Sequence, residues 1–148
     1  MIEFTYANDV THEPVGQKRF TVADANRSLV LVRQILGDLV FEYARLTELQ
    51  EMIETIESGG DCGQLTLARE QLTGSADLIR QYVKELDDIG VVLRDWTMGI
   101  IDFPTLIEGR DAYLCWQLEE PAVTYWHEQQ CCLGDRRRVE GLATMTSH

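Results

Sequence analysis

The stretch Ser58-Gly59-Gly60-Asp61-Cys62-Gly63 divides the first half of the chain into two long segments. Glycine disfavours helix, so this stretch predicts a loop. Apolar side chains recur at steps of three and four on both sides of it. Before the loop, this row of apolar residues, or seam, comprises Leu29, Val32, Leu36, Leu39, Tyr43, Leu46 and Ile53, and Gln50 interrupts it. After the loop, a second seam comprises Leu65, Ala68, Leu72, Ile79, Tyr82, Leu86 and Ile89, and it includes the polar residue Ser75. This spacing is typical of packed helices, and a short loop makes them antiparallel. We therefore predict a coiled-coil-like helical hairpin over residues 20–90.

Both ends of the predicted hairpin carry recognisable stop and start signals. Thr21 and Asp24 approximate a capping box, with Phe20 just before it, so the first helix is predicted to run from Thr21 to about Glu57. Gly90 is in the position expected for the end of the second helix.

After Gly90 the sequence pattern changes to short apolar runs separated by turn residues. The runs are Val91–Leu93, Ile100–Pro104, Tyr113–Trp116 and Val123–His127. Such spacing is typical of an antiparallel meander. We predict an α+β fold, with the hairpin followed by a three- or four-stranded sheet over residues 91–134. Residues 1–19 are expected to be an extended leader with an edge strand at Ile2–Tyr6, and residues 135–148 a polar tail.

Composition limits the possible partners and location. The 148 residues include 25 acids and 13 lysines and arginines, a net charge of −12. This balance disfavours general nucleic-acid binding and docking on anionic membranes. No apolar run approaches the roughly 20 residues of a membrane span, and the N-terminus does not resemble a signal peptide. We therefore expect a cytoplasmic protein with four reduced cysteines. The sequence has no C-x-x-C pair of the kind that binds structural zinc, and we expect no cofactor.

Several motifs resemble one uncharacterised bacterial family, domain-of-unknown-function family 2203. They are Phe20-Thr21-x-x-Asp24-Ala25-Asn26-x-x-Leu29, Gly99-Ile100-Ile101-Asp102-Phe103-Pro104, Gly109-Arg110-x-x-Tyr113-Leu114-Cys115-Trp116-x-x-x-Glu120 and Trp126-His127-Glu128. The resemblance covers about residues 20–136. The chain departs from the family pattern at Val30, at Glu119 and in the closing turn, where only Arg136 matches. The family name implies no activity, so the resemblance supports the fold and the choice of residues to inspect.

The register of the last two predicted strands decides which polar side chains can meet. If Glu119 to Ala122 form a hairpin loop, the cross-strand pairs are Leu118 with Val123, Trp116 with Tyr125 and Leu114 with His127. Side chains alternate between faces, so this register predicts Cys115 on the face opposite His127. It also predicts that Asp102, Trp116 and His127 share a face, which makes Asp102 and His127 the first pair to inspect.

The polar residues of the sheet half allow three interpretations. A small catalytic pocket would use His127, Asp102 and Glu128, with Arg110, Glu120 and Arg136 binding a ligand. A metal site would use His127, Glu128 and Cys131, which would share a face on a helix but not on a strand. The third interpretation is a structural ion-pair cluster that joins the strands, and we favour it over chemistry.

The preferred functional hypothesis is a non-enzymatic cytoplasmic interaction or structural protein that forms a homodimer through its helices. It rests on the lack of a complete catalytic motif and on a broad apolar stripe outside the first seam. The stripe comprises Val30, Ile35, Val40, Phe41 and Ile56. The alternative is a small enzyme or metal-binding protein with its site around Asp102, Arg110, His127 and Glu128.

Overall fold

The computed structural model describes residues 18–128 and 136–139. Its elements are α1 (Val22–Gly59), α2 (Cys62–Ile89), β1 (Val92–Asp95), β2 (Ile100–Ile107), β3 (Arg110–Gln117), β4 (Tyr125–Glu128) and β5 (Arg137–Arg138). All neighbouring strands pair antiparallel in the order β1-β2-β3-β4-β5. The α+β class, with a helical hairpin before an antiparallel meander, is confirmed.

The sheet differs from its prediction in strand number. It has five strands in the described residues rather than three or four, because Arg137 and Arg138 pair with β4. These two residues belong to the segment expected to be a polar tail. The predicted edge strand at Ile2–Tyr6 lies outside the described residues.

The helix ends follow the local sequence signals. The Thr21 hydroxyl accepts a hydrogen bond from the Asp24 backbone N–H at 3.0 Å, and Asp24 accepts one from the Thr21 N–H at 3.2 Å, which completes the predicted capping box. At the start of α2, Asp61 accepts from the Gly63 N–H at 2.8 Å. Gly90 ends α2 with a φ of 103°, a left-handed conformation that favours glycine.

The two helices bury their predicted seams against each other. The residues buried in α1 include Leu29, Val32, Leu36, Leu39, Leu46 and Ile53, and those buried in α2 include Ala68, Leu72, Ile79 and Leu86. Leu49, which is 5% exposed, continues the α1 seam past its break at Gln50. Across the described part of the chain, neither helix has the apolar length that a membrane span requires.

One face of the sheet completes the hydrophobic core. Its buried residues are Leu93, Ile101, Phe103, Leu114, Trp116 and Trp126, which join the helix residues in one cluster. Phe20 packs edge-on against Phe103, with ring centroids 5.1 Å apart. Because strand side chains alternate, the residues between these positions point to the opposite face of the sheet.

The observed register of β3 and β4 differs by one residue from the predicted register. The Val123 N–H donates to the Asn26 side chain of α1 at 2.8 Å, and the Leu118 N–H donates to the Gly99 carbonyl at 2.9 Å. Neither backbone group is therefore available for the predicted pairing of Leu118 with Val123. The observed cross-strand pairs are Ala112 with Glu128, Tyr113 with His127, Leu114 with Trp126 and Cys115 with Tyr125.

This shift overturns two predictions about the faces of the sheet. Trp116 pairs with Ile101 and lies in the hydrophobic core, so it does not share a face with His127. Cys115 pairs with Asp102 on β2, and both lie on the same face as His127. The predicted separation of Cys115 from His127 is therefore wrong.

Candidate functional site

The face of the sheet away from the hydrophobic core carries a buried polar cluster, defined here as Arg94, Asp102, Tyr113, Cys115 and His127. Asp102 and Cys115 are 0% exposed, Tyr113 is 2% exposed and His127 is 3% exposed. The strand pairings bring them together, since Asp102 lies opposite Cys115 and Tyr113 lies opposite His127. Buried polar groups require partners, so the hydrogen bonds within the cluster decide its chemistry.

The Asp102 carboxylate is the centre of this cluster. Its Oδ2 accepts a hydrogen bond from Arg94 Nε at 2.7 Å and lies 2.9 Å from His127 Nε2. The Arg94 guanidinium also lies over the Tyr113 ring, 4.7 Å from its centroid. The His127 ring packs against the Tyr113 ring, with centroids 5.6 Å apart. One carboxylate thus joins three strands through a cationic side chain and an imidazole.

Both nitrogens of His127 face hydrogen-bond acceptors. Nε2 faces the Asp102 carboxylate, and Nδ1 lies 2.8 Å from the Glu128 carbonyl oxygen. A carbonyl and an ionised carboxylate only accept, so both contacts are satisfied when the ring carries two protons. Burial favours a lower pKa, but the hydrogen bond and charge of Asp102 outweigh it and raise the pKa of His127.

Cys115 lies in surroundings that favour a protonated thiol. Burial and the negative charge of Asp102 raise the pKa of Cys115 to about 12. Arg136 lowers this pKa but does not offset burial. The juxtaposition of Cys115 and His127 resembles a thiol nucleophile and its base, yet the thiol is protonated and both histidine nitrogens are engaged.

Two polar atoms of the cluster have no hydrogen-bond partner among the described residues. They are Asp102 Oδ1 and the Tyr113 hydroxyl, both buried. In addition, the ligand atoms that Asp102, Cys115 and His127 offer to a metal all lie within 4.8 Å of one another. The cluster therefore combines unsatisfied polar atoms with three side chains of the types that bind transition metals.

Arg110 and Glu128, two of the predicted site residues, lie away from the cluster. Arg110 is exposed at the turn between β2 and β3, where it pairs with Ile107. Glu128 is exposed and contributes its backbone carbonyl to the cluster. Of the residues in the alternative site, the structure therefore brings the side chains of Asp102 and His127 together.

Arg94 occupies the role expected of Arg110, and sequence reasoning missed it. The predicted first run begins with Val91–Leu93, immediately before Arg94, but Arg94 was not included among the candidate site residues. Continuing the alternation would have put Arg94 on the same face as Val92, which pairs with Asp102. This alternation was the signal in the sequence that could have identified Arg94 as a partner of Asp102.

Glu120 and Arg136 form a separate ion pair beside the connection between β3 and β4. Arg136 Nη2 donates to Glu120 Oε1 at 2.7 Å, and the Gln117 N–H donates to the same oxygen at 2.8 Å. The Arg136 guanidinium also lies over Tyr125, 4.2 Å from the ring centroid. These residues, predicted as ligand contacts, bind each other and fix the connection.

Two members of the alternative metal set of His127, Glu128 and Cys131 lie on opposite faces of the sheet. His127 and Glu128 are consecutive in β4, so their side chains point to opposite faces. Cys131 lies outside the described residues. Of the side chains that are described, Asp102 and Cys115 lie nearest to His127 as potential ligands.

A second candidate surface lies on α1, on the side exposed to solvent. The predicted apolar stripe divides in the structure: Ile35 is buried, Val40 and Ile56 pack partly against the core, and Val30 and Phe41 are exposed. Met52 is also exposed. We name Val30, Phe41 and Met52, which are 82%, 69% and 49% exposed, the α1 stripe.

Comparison with known proteins identifies the family but gives no activity. No curated protein matches the chain, and no solved structure matches it. Residues 18–139 match the family model described as Uncharacterized conserved protein (DUF2203), and the chain belongs to this family.

Proposed function

We propose that this chain is a non-enzymatic cytoplasmic interaction protein that forms a homodimer through α1. The observation that carries the proposal is the α1 stripe, whose three large apolar side chains are between 49% and 82% exposed. Isolated exposed apolar residues are common, but a row along one helix favours association. The occupant we propose is a second copy of the same chain.

The spacing of the α1 stripe supports self-association. Val30 precedes Phe41 by eleven residues and Met52 follows it by eleven, so the three lie within about 40° of one another around the helix. An antiparallel pair of α1 helices with a twofold axis at Phe41 would put Val30 of each copy opposite Met52 of the other. The two Phe41 rings would meet at the axis, the self-complementary arrangement that a twofold interface requires.

Charges beside Phe41 support the same arrangement. Asp38 lies three residues before Phe41 and Arg45 four residues after it, and both are exposed. In the antiparallel pair, Asp38 of one copy would approach Arg45 of the other on both sides of the axis. Gly37 has open space beside it, which leaves room for the long Arg45 side chain. Opposite charges in these positions favour this register over a parallel one.

The buried polar cluster supports a non-enzymatic role. A general base needs a free lone pair, and both nitrogens of His127 are engaged. A thiol nucleophile needs a thiolate, and the pKa of Cys115 is raised to about 12. A catalytic function that uses His127, Asp102 and Glu128 therefore has weaker support than the proposed function as an interaction protein. The net charge of −12 favours neither nucleic acid nor anionic membrane as a partner.

The proposal is tested by measuring mass against concentration by sedimentation equilibrium. Phe41→Glu introduces two like charges at the axis, so we expect the dimer dissociation constant to rise at least about 30-fold, which corresponds to about 2 kcal/mol. Leu78→Glu is the control, because Leu78 is 40% exposed but lies on α2. It should leave the constant unchanged.

Charge reversal tests the antiparallel register. Asp38→Arg and Arg45→Asp should each weaken the dimer about fivefold or more, and the double variant should recover most of the loss. A wild-type chain that stays monomeric at the highest soluble concentration would contradict the proposal. So would a dimer that Phe41→Glu leaves intact.

A further inference from the structure

We propose that Asp102, Cys115 and His127 form a binding site for one divalent transition metal ion of the zinc class. The inference is independent of the homodimer, because the three residues lie on the sheet face away from the hydrophobic core. It replaces the predicted set of His127, Glu128 and Cys131 with a set drawn from three strands.

The positions of the three side chains support this site. Their ligand atoms lie within 4.8 Å of one another, and all three residues are buried. They come from β2, β3 and β4, adjacent strands whose pairing fixes the backbone beneath each ligand. Small side-chain rotations would therefore bring the three donor atoms to a common ion. Rigid strands are good platforms for such a site.

The unsatisfied atoms of the cluster indicate where the ion would lie. Asp102 Oδ1 is buried without a hydrogen-bond partner among the described residues, whereas Oδ2 is held by Arg94. A metal ion bound to Asp102 Oδ1 would give this oxygen a partner and would leave the hydrogen bond between Oδ2 and Arg94 in place. The Tyr113 hydroxyl, also buried and unpartnered in this part of the chain, faces the same side of the sheet and adds polar surroundings.

The outer contacts of the ligands are those that metal sites use. A histidine that binds a metal through one nitrogen commonly donates its other N–H to a carbonyl or carboxylate. In this chain, His127 Nδ1 already faces the Glu128 carbonyl, so Nε2 would bind the ion in exchange for its present contact with Asp102 Oδ2. Arg94 likewise orients the Asp102 carboxylate through a 2.7 Å bond.

The donor set favours zinc over calcium or magnesium. One sulfur, one imidazole nitrogen and one carboxylate oxygen are typical tetrahedral zinc ligands, whereas calcium and magnesium prefer oxygen alone. Three protein ligands leave a fourth position for water or another donor. On binding, the Cys115 thiol proton and the His127 Nε2 proton are released to solvent.

Cobalt(II) provides a spectroscopic test on the full-length reduced protein. We expect one ion per chain, visible bands of tetrahedral cobalt and a near-ultraviolet thiolate-to-cobalt charge-transfer band. Zinc should displace the cobalt and remove these bands. Cys115→Ser should abolish the charge-transfer band and weaken cobalt binding by at least about 100-fold, beyond the 10- to 100-fold typical of outer contacts.

Matched cysteine variants identify the sulfur that binds. Cys62 is exposed and lies at the start of α2, so Cys62→Ser should retain the band. A double Cys131→Ser and Cys132→Ser variant should also retain it. Circular dichroism checks that each variant is folded, and Asp102→Asn provides a second test of the same site, with cobalt affinity reduced to a similar extent.

Two results would overturn the inference. One is a folded, reduced wild-type protein that takes up no cobalt in equilibrium dialysis. The other is a charge-transfer band that survives Cys115→Ser and disappears in the Cys131 and Cys132 double variant, which would assign the sulfur elsewhere.

Discussion

The hairpin and the sheet stabilise their buried surfaces in different ways. Between α1 and α2 the contacts are mainly apolar, although Glu42 and Ser75 are also buried and the Ser75 hydroxyl donates to the Glu42 carbonyl at 3.3 Å. The sheet buries apolar side chains on one face and an aspartate, a histidine and a cysteine on the other. Apolar packing tolerates small changes of position, whereas a buried charge depends on particular partners. The two regions should therefore respond differently to substitution and to pH.

The largest effect should come from removing the centre of the polar cluster. Asp102→Ala leaves Arg94 without its counter-charge and His127 Nε2 without its partner, and breaking a buried ion pair costs about 3–5 kcal/mol. We expect the free energy of unfolding, measured in urea with a chelator present, to fall by this amount. Asp102→Asn keeps the shape and one acceptor, so its loss should be smaller. A negligible loss in Asp102→Asn would indicate that shape and hydrogen bonding rather than charge hold the cluster.

A core truncation in the hairpin should cost slightly less and through a different mechanism. Leu36 is 0% exposed, so Leu36→Ala removes buried methyl groups and leaves a cavity, with an expected loss of about 2–5 kcal/mol. Leu78→Ala, at a residue 40% exposed, should change stability by less than about 0.5 kcal/mol. The Leu36→Ala loss should not vary between mildly acidic and mildly alkaline pH. A strong pH dependence of this loss would break the contrast between the regions.

The smallest effect concerns a single proton in the cluster. The folded-state pKa of His127 is raised above its ordinary value of 6.5. The protonated ring therefore adds stability in full below that value, and the contribution is lost as pH rises through the folded-state pKa. With chelator present, the stability advantage of wild type over His127→Gln should be full below pH 6.5 and should shrink as the pH rises above it. An advantage that grows with pH would mean that His127 is neutral when folded.

The hairpin was predictable because its signals are local. Capping by Thr21, the glycine loop and the alternating apolar steps each act over a few residues, and tertiary contacts do not override them. The strands were also predictable as apolar runs, although β5 has only two residues and carries no such pattern.

The polar cluster was only partly predictable because strand register is not local. The pair of Asp102 and His127 was predicted from a register that is wrong by one residue, and it is present because the observed strand pairings also place both side chains on one face. Cys115 was assigned to the wrong face because residues Glu119 to Ala122 were predicted to form a short hairpin loop after β3. In the structure, Asn26 and Gly99 bind the loop, and neither is near it in sequence. Such long-range partners cannot be inferred from spacing.

The hydrogen bond from Val123 to Asn26 also has a consequence for the order of folding. It joins residues 97 positions apart, so α1 must be docked on the sheet before this contact can fix β4. The predicted hairpin, in which Leu118 pairs with Val123, closes a much shorter loop than the contact between Val123 and Asn26. It can therefore form before that contact, since short loops close at lower entropic cost. That early hairpin would direct His127 toward the hydrophobic core. We therefore expect Asn26→Ala to slow refolding, because the misregistered hairpin would persist for longer; stopped-flow refolding measures this rate.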